Sequence, residues 1–172
     1  KIHRFDVTLG NSESYRESAV YEAGAEAVVT PMPQATLGLS VCYDLRFPHL
    51  YRDMAQAGAD ILMVPAAFTR TTGRAHWHVL LRARAIETGC FVLAPAQTGQ
   101  HADGRETYGH SLAVAPWGEV LADGDAPVGV TLVELDLSQV AAARTRIPAL
   151  EHDREYAMRS APQNTAREER IS

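Results

Sequence analysis

An α/β fold built on parallel strands is predicted by three features of the stretch from Thr36 to Ala67. A short apolar strand, Leu37, Leu39 and Val41, stops at Cys42. Pro48 then opens a helix, because its ring presets the first helical φ and its missing N–H is not needed there. A second apolar run, Ile61 to Val64, follows at once, which makes the unit β-turn-α-β. Within the helix, Phe47, Leu50, Tyr51, Met54 and Ala55 keep the spacing of one buried face, and Gly58 is placed to end it. Open α/β sheets carry reactive residues at the carboxyl ends of their strands, where the Cys42 thiol lies.

The other elements follow in order. Lys1 to Asp6 alternates basic and apolar residues, as at a strand end, and Asn11 to Glu22 is polar enough to read as a loop. Ala27 to Val29 is expected to pair, through Pro31-Met32-Pro33, with the strand ending at Cys42. Thr69 to Arg74 reads as a Thr-rich loop in which Thr72 caps a helix over Ala75 to Thr88. Trp77, Leu81 and Ala85 share one face of that helix with Leu80, and Gly89 stops it. Phe91 to Ala94 is a third buried strand. Gln97 to Tyr108 is a polar loop of the kind that shapes pockets above a sheet. A hairpin is predicted from Ser111 to Ala115 through Pro116-Trp117-Gly118 to Val120 and Leu121, then a strand over Val128 to Leu135. A helix runs from Ser138 to about Arg146, ended by Pro148, and residues from about 157 to 172 form a polar tail or a partner-binding arm.

With 172 residues, 46% of them hydrophobic, the chain is most economically one domain. A net charge of -5 gives no general attraction for nucleic acid or an anionic membrane. No run approaches the roughly 18 apolar residues of a membrane span. Two cysteines beside apolar strands make no disulfide framework, so a reducing cytoplasm is expected. The chain opens at Lys1, already inside a pattern, and reads as the later part of a longer one.

A thiol is a useful nucleophile at neutral pH only beside a base or a positive charge. Cys42 sits at a strand end before Tyr-Asp-x-Arg; Cys90 has no such setting and reads as structural. His76 and His78 are two apart on a helix and point to different faces, whereas helical metal pairs need three or four. His110 precedes Ser111, but Ala113 replaces the last glycine of a nucleophile elbow. None of these histidines is assigned a catalytic role, and no metal ligand is assigned.

Several segments in one order carry a family resemblance: K-I-H-R-F-D at 1–6, C-Y-D-L-R-F-P at 42–48, A-H-W at 75–77, L-L-R-A-R-A-I-E-T at 80–88, Y-G-H-S at 108–111 and P-W-G-E-V at 116–120. The chain resembles the nitrilase, or carbon-nitrogen hydrolase, superfamily from Lys1 to about Tyr156. The stretch from Arg82 to Leu112 is most similar to the branch of deaminated glutathione amidase, with the ω-amidase branch close behind.

The resemblance implies an α-β-β-α sandwich and a Glu-Lys-Cys triad working without metal or cofactor. Cys42 matches the nucleophile, Lys1 the triad lysine and Glu17 a second glutamate that supports the lysine. The family's general-base glutamate lies upstream of the lysine, and this sequence holds no counterpart. The backbone N–H of Tyr43 matches an oxyanion donor. Arg46 either pairs with Asp44 or holds a substrate carboxylate, and Phe68 lines the pocket with Tyr43.

The implied activity is hydrolysis of the C–N bond of a small carboxylated amide through a Cys thioester, with release of ammonia. The alternatives within the superfamily are an ω-amidase, an N-carbamoyl amidohydrolase or a nitrilase. Two other classes are a non-catalytic binding protein of the same fold and a papain-type Cys-His hydrolase. The family pattern also implies a homodimer or larger homo-oligomer, formed through Phe47 to Met54 and the C-terminal arm.

Overall fold

The computed structural model describes residues 1–9, 13–102 and 104–159. β1 (Asp6–Leu9) and β2 (Glu13–Arg16) pair antiparallel, and a 3-10 turn, Glu17–Ala19, follows. The region read as a polar loop therefore holds a strand. Tyr15 faces Val7 across the ladder, and four-residue strands leave too short a pattern for alternation to reveal.

β3 (Val28–Pro31) and β4 (Thr36–Leu39) form the expected antiparallel pair. Pro31 is tolerated because β3 is an edge of its sheet. β4 ends short of Cys42, which opens a 3-10 helix, Cys42–Arg46, leading into α1 (Pro48–Gln56). β5 (Ile61–Met63) lies parallel to β4.

The next helix, α2 (Arg70–Thr88), begins earlier than predicted. Its cap is Thr69, whose hydroxyl accepts the Thr72 N–H, so Thr72 lies inside the helix. Gly89 closes it with φ 62°, the left-handed value glycine adopts without a Cβ penalty. β6 (Phe91–Ala94) follows, parallel to β5.

The predicted loop over 97–108 contains a small hairpin, β7 (Thr98–Gln100) and β8 (Glu106–Tyr108). Tyr108 packs on α2 so closely that a Cβ on Gly73 would stand 2.4 Å from it. β9 (Leu112–Val114) and β10 (Val120–Asp123) form the second predicted hairpin, and α3 spans Ser138–Arg146.

The expected strand over Val128 to Leu135 does not form. Val128, Val130 and Leu132 are 92%, 89% and 91% exposed, and no ladder pairs them among the described residues. Alternation marks a segment able to pair; a partner must still be there to complete the backbone hydrogen bonds.

The main sheet runs in the order β10-β9-β6-β5-β4-β3, parallel at β4-β5-β6 and antiparallel on both flanks. One face buries Leu62, Val64, Val92 and Val114 beneath α1 and α2, whose inner residues include Tyr51, Met54, Trp77 and Leu81. The other buries Ile61, Phe91 and Ala115 against Val140 of α3. This is the α/β class read from the sequence. Among the described residues, no helix is long and apolar enough to cross a membrane.

Candidate active site

The turn after β4 is held from three sides. Cys42 donates its N–H to the Pro65 carbonyl at 3.0 Å, beyond the end of β5. Buried Arg84 reaches from α2 and donates through Nε and Nη2 to the Leu45 carbonyl at 3.0 and 2.8 Å. Asp44, fully buried, accepts the N–H of Val41 at 3.0 Å, that of Ile2 at 3.2 Å and that of His3 at 2.8 Å, and meets His3 Nδ1 at 2.9 Å. Asp44 thus ties the first residues of the chain to the turn that carries the thiol. Cys42 itself has φ 53°, which costs an L-residue roughly 1–2 kcal/mol and is common where function requires a particular geometry.

That tie brings Lys1 to the site. Its Nζ lies 2.5 Å from Glu17 Oε1 and also contacts Oε2. Glu17 accepts the Phe5 N–H at 2.6 Å and donates its own N–H to the Phe5 carbonyl at 3.3 Å. Lys1, Glu17 and Cys42 line one open cavity of about 900 Å³. Arg16, Gln97 and Arg105 stand on its walls. A second hollow of about 470 Å³, between the end of α2 and α3, holds no nucleophile.

Burial pushes the Cys42 thiol above the ordinary cysteine range. The Ala67 N–H, the Lys1 ammonium and the Tyr43 N–H work against that rise, and the Glu17 carboxylate adds to it. Burial also pushes Cys90 up; its Sγ bonds the Ala59 carbonyl at 3.2 Å, inside the core.

Phe68 is buried and lines a small recess beside the thiol with Tyr43 and Ala67, its ring 5.0 Å from that of Trp77. Tyr43 packs its ring on Phe5 and Phe47, each ring centre within 5.4 Å. Arg46 is not on the cavity wall. Its guanidinium lies over the rings of Phe68 at 5.2 Å and Tyr43 at 5.9 Å, and Nη1 meets His76 Nδ1 at 3.3 Å. The anticipated pairing with Asp44 is not seen, since backbone N–H groups and His3 take that carboxylate.

The sequence reading missed Ala67 and Arg105. Ala67 acts through its backbone N–H, which leaves no mark on residue type. Arg105 belongs to the 97–108 segment, whose polarity announced a pocket wall without saying which residues would line the cavity.

Residues 1–145 match the model of the carbon-nitrogen hydrolase family. The chain belongs to that family. Among curated relatives, the deaminated glutathione amidase of Synechocystis sp. is 47% identical over 154 residues, which is 88% of this chain. The chain spans 57% of that relative's length. Among solved structures, the NitFhit protein of C. elegans superposes with a TM-score of 0.83 at 45% identity, over 90% of this chain and 38% of that one. A mutant amidase from Nesterenkonia sp., with acrylamide added at its active-site cysteine, gives a TM-score of 0.64 at 29% identity over 77% of this chain and 52% of that one.

Proposed function

We propose that the protein is a thiol-dependent amidohydrolase that cleaves a small carboxylated amide, of the deaminated glutathione or ω-amide type, through a thioester on Cys42. The observation that carries this reading is the meeting of Cys42 with the Lys1-Glu17 pair on one cavity wall. The names of relatives such as the Synechocystis enzyme supply the substrate class.

Sγ of Cys42 attacks the amide carbon, and its proton passes by way of a carboxylate to the nitrogen, which leaves as ammonia. Water then adds to the thioester carbonyl and expels the thiol with the acid product. In both steps charge collects on the former carbonyl oxygen, and the Lys1 ammonium with the Tyr43 N–H answers it; one such donor is worth about 3–4 kcal/mol in a dry site. The Ala67 N–H steadies the sulfur. Glu17 is engaged by Lys1 and the Phe5 N–H, so its part is to hold the lysine, and the family resemblance assigns proton transfer to a glutamate preceding Lys1. Arg105 and Arg16 on the cavity wall suit the substrate carboxylate, which a guanidinium grips with paired hydrogen bonds.

The same reading makes the enzyme a cytoplasmic homo-oligomer. Free thiols at Cys42 and Cys90 fit a reducing compartment. The apolar residues of α1, Leu50, Tyr51 and Met54, are buried within the chain, which leaves His49 and Asp53 for a partner.

The test is an intact mass spectrum of protein acid-quenched during incubation with deaminated glutathione, alongside an ammonia assay. An acyl adduct present in the parent and absent in Cys42→Ala, with ammonia released, supports the reading. Turnover restricted to nitriles or N-carbamoyl compounds would overturn the substrate class, and ammonia release that survives Cys42→Ala would overturn the thiol mechanism.

A further inference from the structure

Against α2, three side chains from separate elements converge. His78 of α2 places Nε2 2.8 Å from Asp123 Oδ2, at the end of β10. His110, in the turn between β8 and β9, places Nδ1 3.0 and 3.1 Å from the two oxygens of the same carboxylate. The donor atoms all lie within 4.8 Å of one another.

We propose that His78, His110 and Asp123 form a binding site for a divalent transition-metal ion of the zinc class, outside the thiol cavity. The site is independent of the amidase reading. Spacing along α2 gave no metal pair there, because the partner of His78 comes from the turn before β9 and not from its own helix.

Two imidazole nitrogens and one carboxylate oxygen are the donor types zinc takes, with remaining positions open to water. Donors around a tetrahedral ion with bonds of 2.0–2.1 Å stand about 3.3 Å apart, so the two His–Asp separations need open by only about half an ångström, and the two imidazole nitrogens, within 4.8 Å of each other, need settle to the same spacing. Asp125 offers a fourth donor, its Oδ1 3.8 Å from His110 Nδ1.

The set is held in place before any ion arrives. His110 has φ 56°, its carbonyl accepts the Trp77 indole N–H at 2.8 Å, and its N–H donates to the Asp125 carbonyl at 2.7 Å. Tyr108 stacks on its ring at 4.2 Å. Asp123 accepts the Asp125 N–H at 2.9 Å. All three side chains are partly exposed, so an ion can enter from solvent.

Without an ion, the carboxylate takes the N–H of each ring; with one, each neutral imidazole carries its proton on the other nitrogen and turns its lone pair inward. The ion would fasten α2 to the turn that supplies Ser111 to the catalytic cavity wall.

The test is calorimetric titration of Zn²⁺ into the untagged full-length protein as Cys42→Ser, which removes the competing cavity thiol. One equivalent is expected, bound at least about tenfold more weakly when His78→Gln or Asp123→Asn is added. Bound Co²⁺ should show visible bands of nitrogen and oxygen ligation without a near-ultraviolet thiolate band. Far-ultraviolet circular dichroism of metal-free samples verifies folding, and the two substitutions lie on different elements, so either one serves. Absence of binding, equal affinity in all three proteins, or a thiolate band would overturn the site.

Discussion

Cys42 is pulled in opposite directions by its neighbours. Burial comes first and raises its pKa, so most of the thiol is protonated at neutral pH and attack depends on proton removal during the reaction. The rate of iodoacetamide alkylation is therefore expected to keep climbing above the pH at which an ordinary cysteine levels off. Lys1→Met removes a group that lowers the pKa and should move the profile further up; Glu17→Gln removes one that raises it and should move it down. Profiles shifting the same way in both variants would contradict the placement of the pair. Since Glu17 also holds Lys1 over the site, Glu17→Gln should cut kcat by about 10²-fold and leave KM within a few-fold, which steady-state kinetics will show. At this scale the sequence was informative where chemistry is written in residue type. Cys42 could be singled out by its place at a strand end, whereas Lys1 and Glu17 stood out only through the family pattern. Nothing in the residue type of Ala67, or in the spacing between Asp44 and Ile2, announced what their backbone groups do.

Among the elements, α2 braces the turn that carries the thiol. Arg84 sends its guanidinium across to the carbonyl of Leu45, in the 3-10 helix that Cys42 begins, and its Nη1 reaches Glu87 at 2.8 Å. Replacing it with methionine keeps much of the apolar volume but leaves that carbonyl buried without its charged donor. Arg84→Met should lose about 2–3 kcal/mol in urea denaturation, and kcat should fall as the thiol-bearing turn loosens. Stability within 0.5 kcal/mol of the parent would show that the contact carries nothing. The long apolar-faced helix, the buried strands β5 and β6 and the proline-started α1 were legible because their periodicity is strong and their caps are chemical. The hairpins β1-β2 and β7-β8 were not, since strands of three or four residues carry almost no pattern. The cap of α2 was misplaced because Thr69 and Thr72 are equally able to accept an N–H, and only the chain path after β5 decides between them.

For the molecule as a whole, apolar surface is covered unevenly. The α1-α2 face of the sheet is densely filled, while Val128, Val130 and Leu132 meet solvent. Exposed apolar residues bind hydrophobic dyes. Dye fluorescence of this chain in solution is expected to drop when Val130 and Leu132 are both changed to threonine; unchanged fluorescence would mean that the segment is covered. Global stability gives the φ of Cys42 its wider meaning. Domains hold together by only about 5–15 kcal/mol, and a left-handed cysteine gives up roughly 1–2 of these. Cys42→Gly should therefore melt later than Cys42→Ala, though both lack the thiol. On the thiol-amidohydrolase reading, selection for catalysis and selection for a sturdier chain oppose each other at this one position, so a descendant released from catalysis is expected to drift to glycine there.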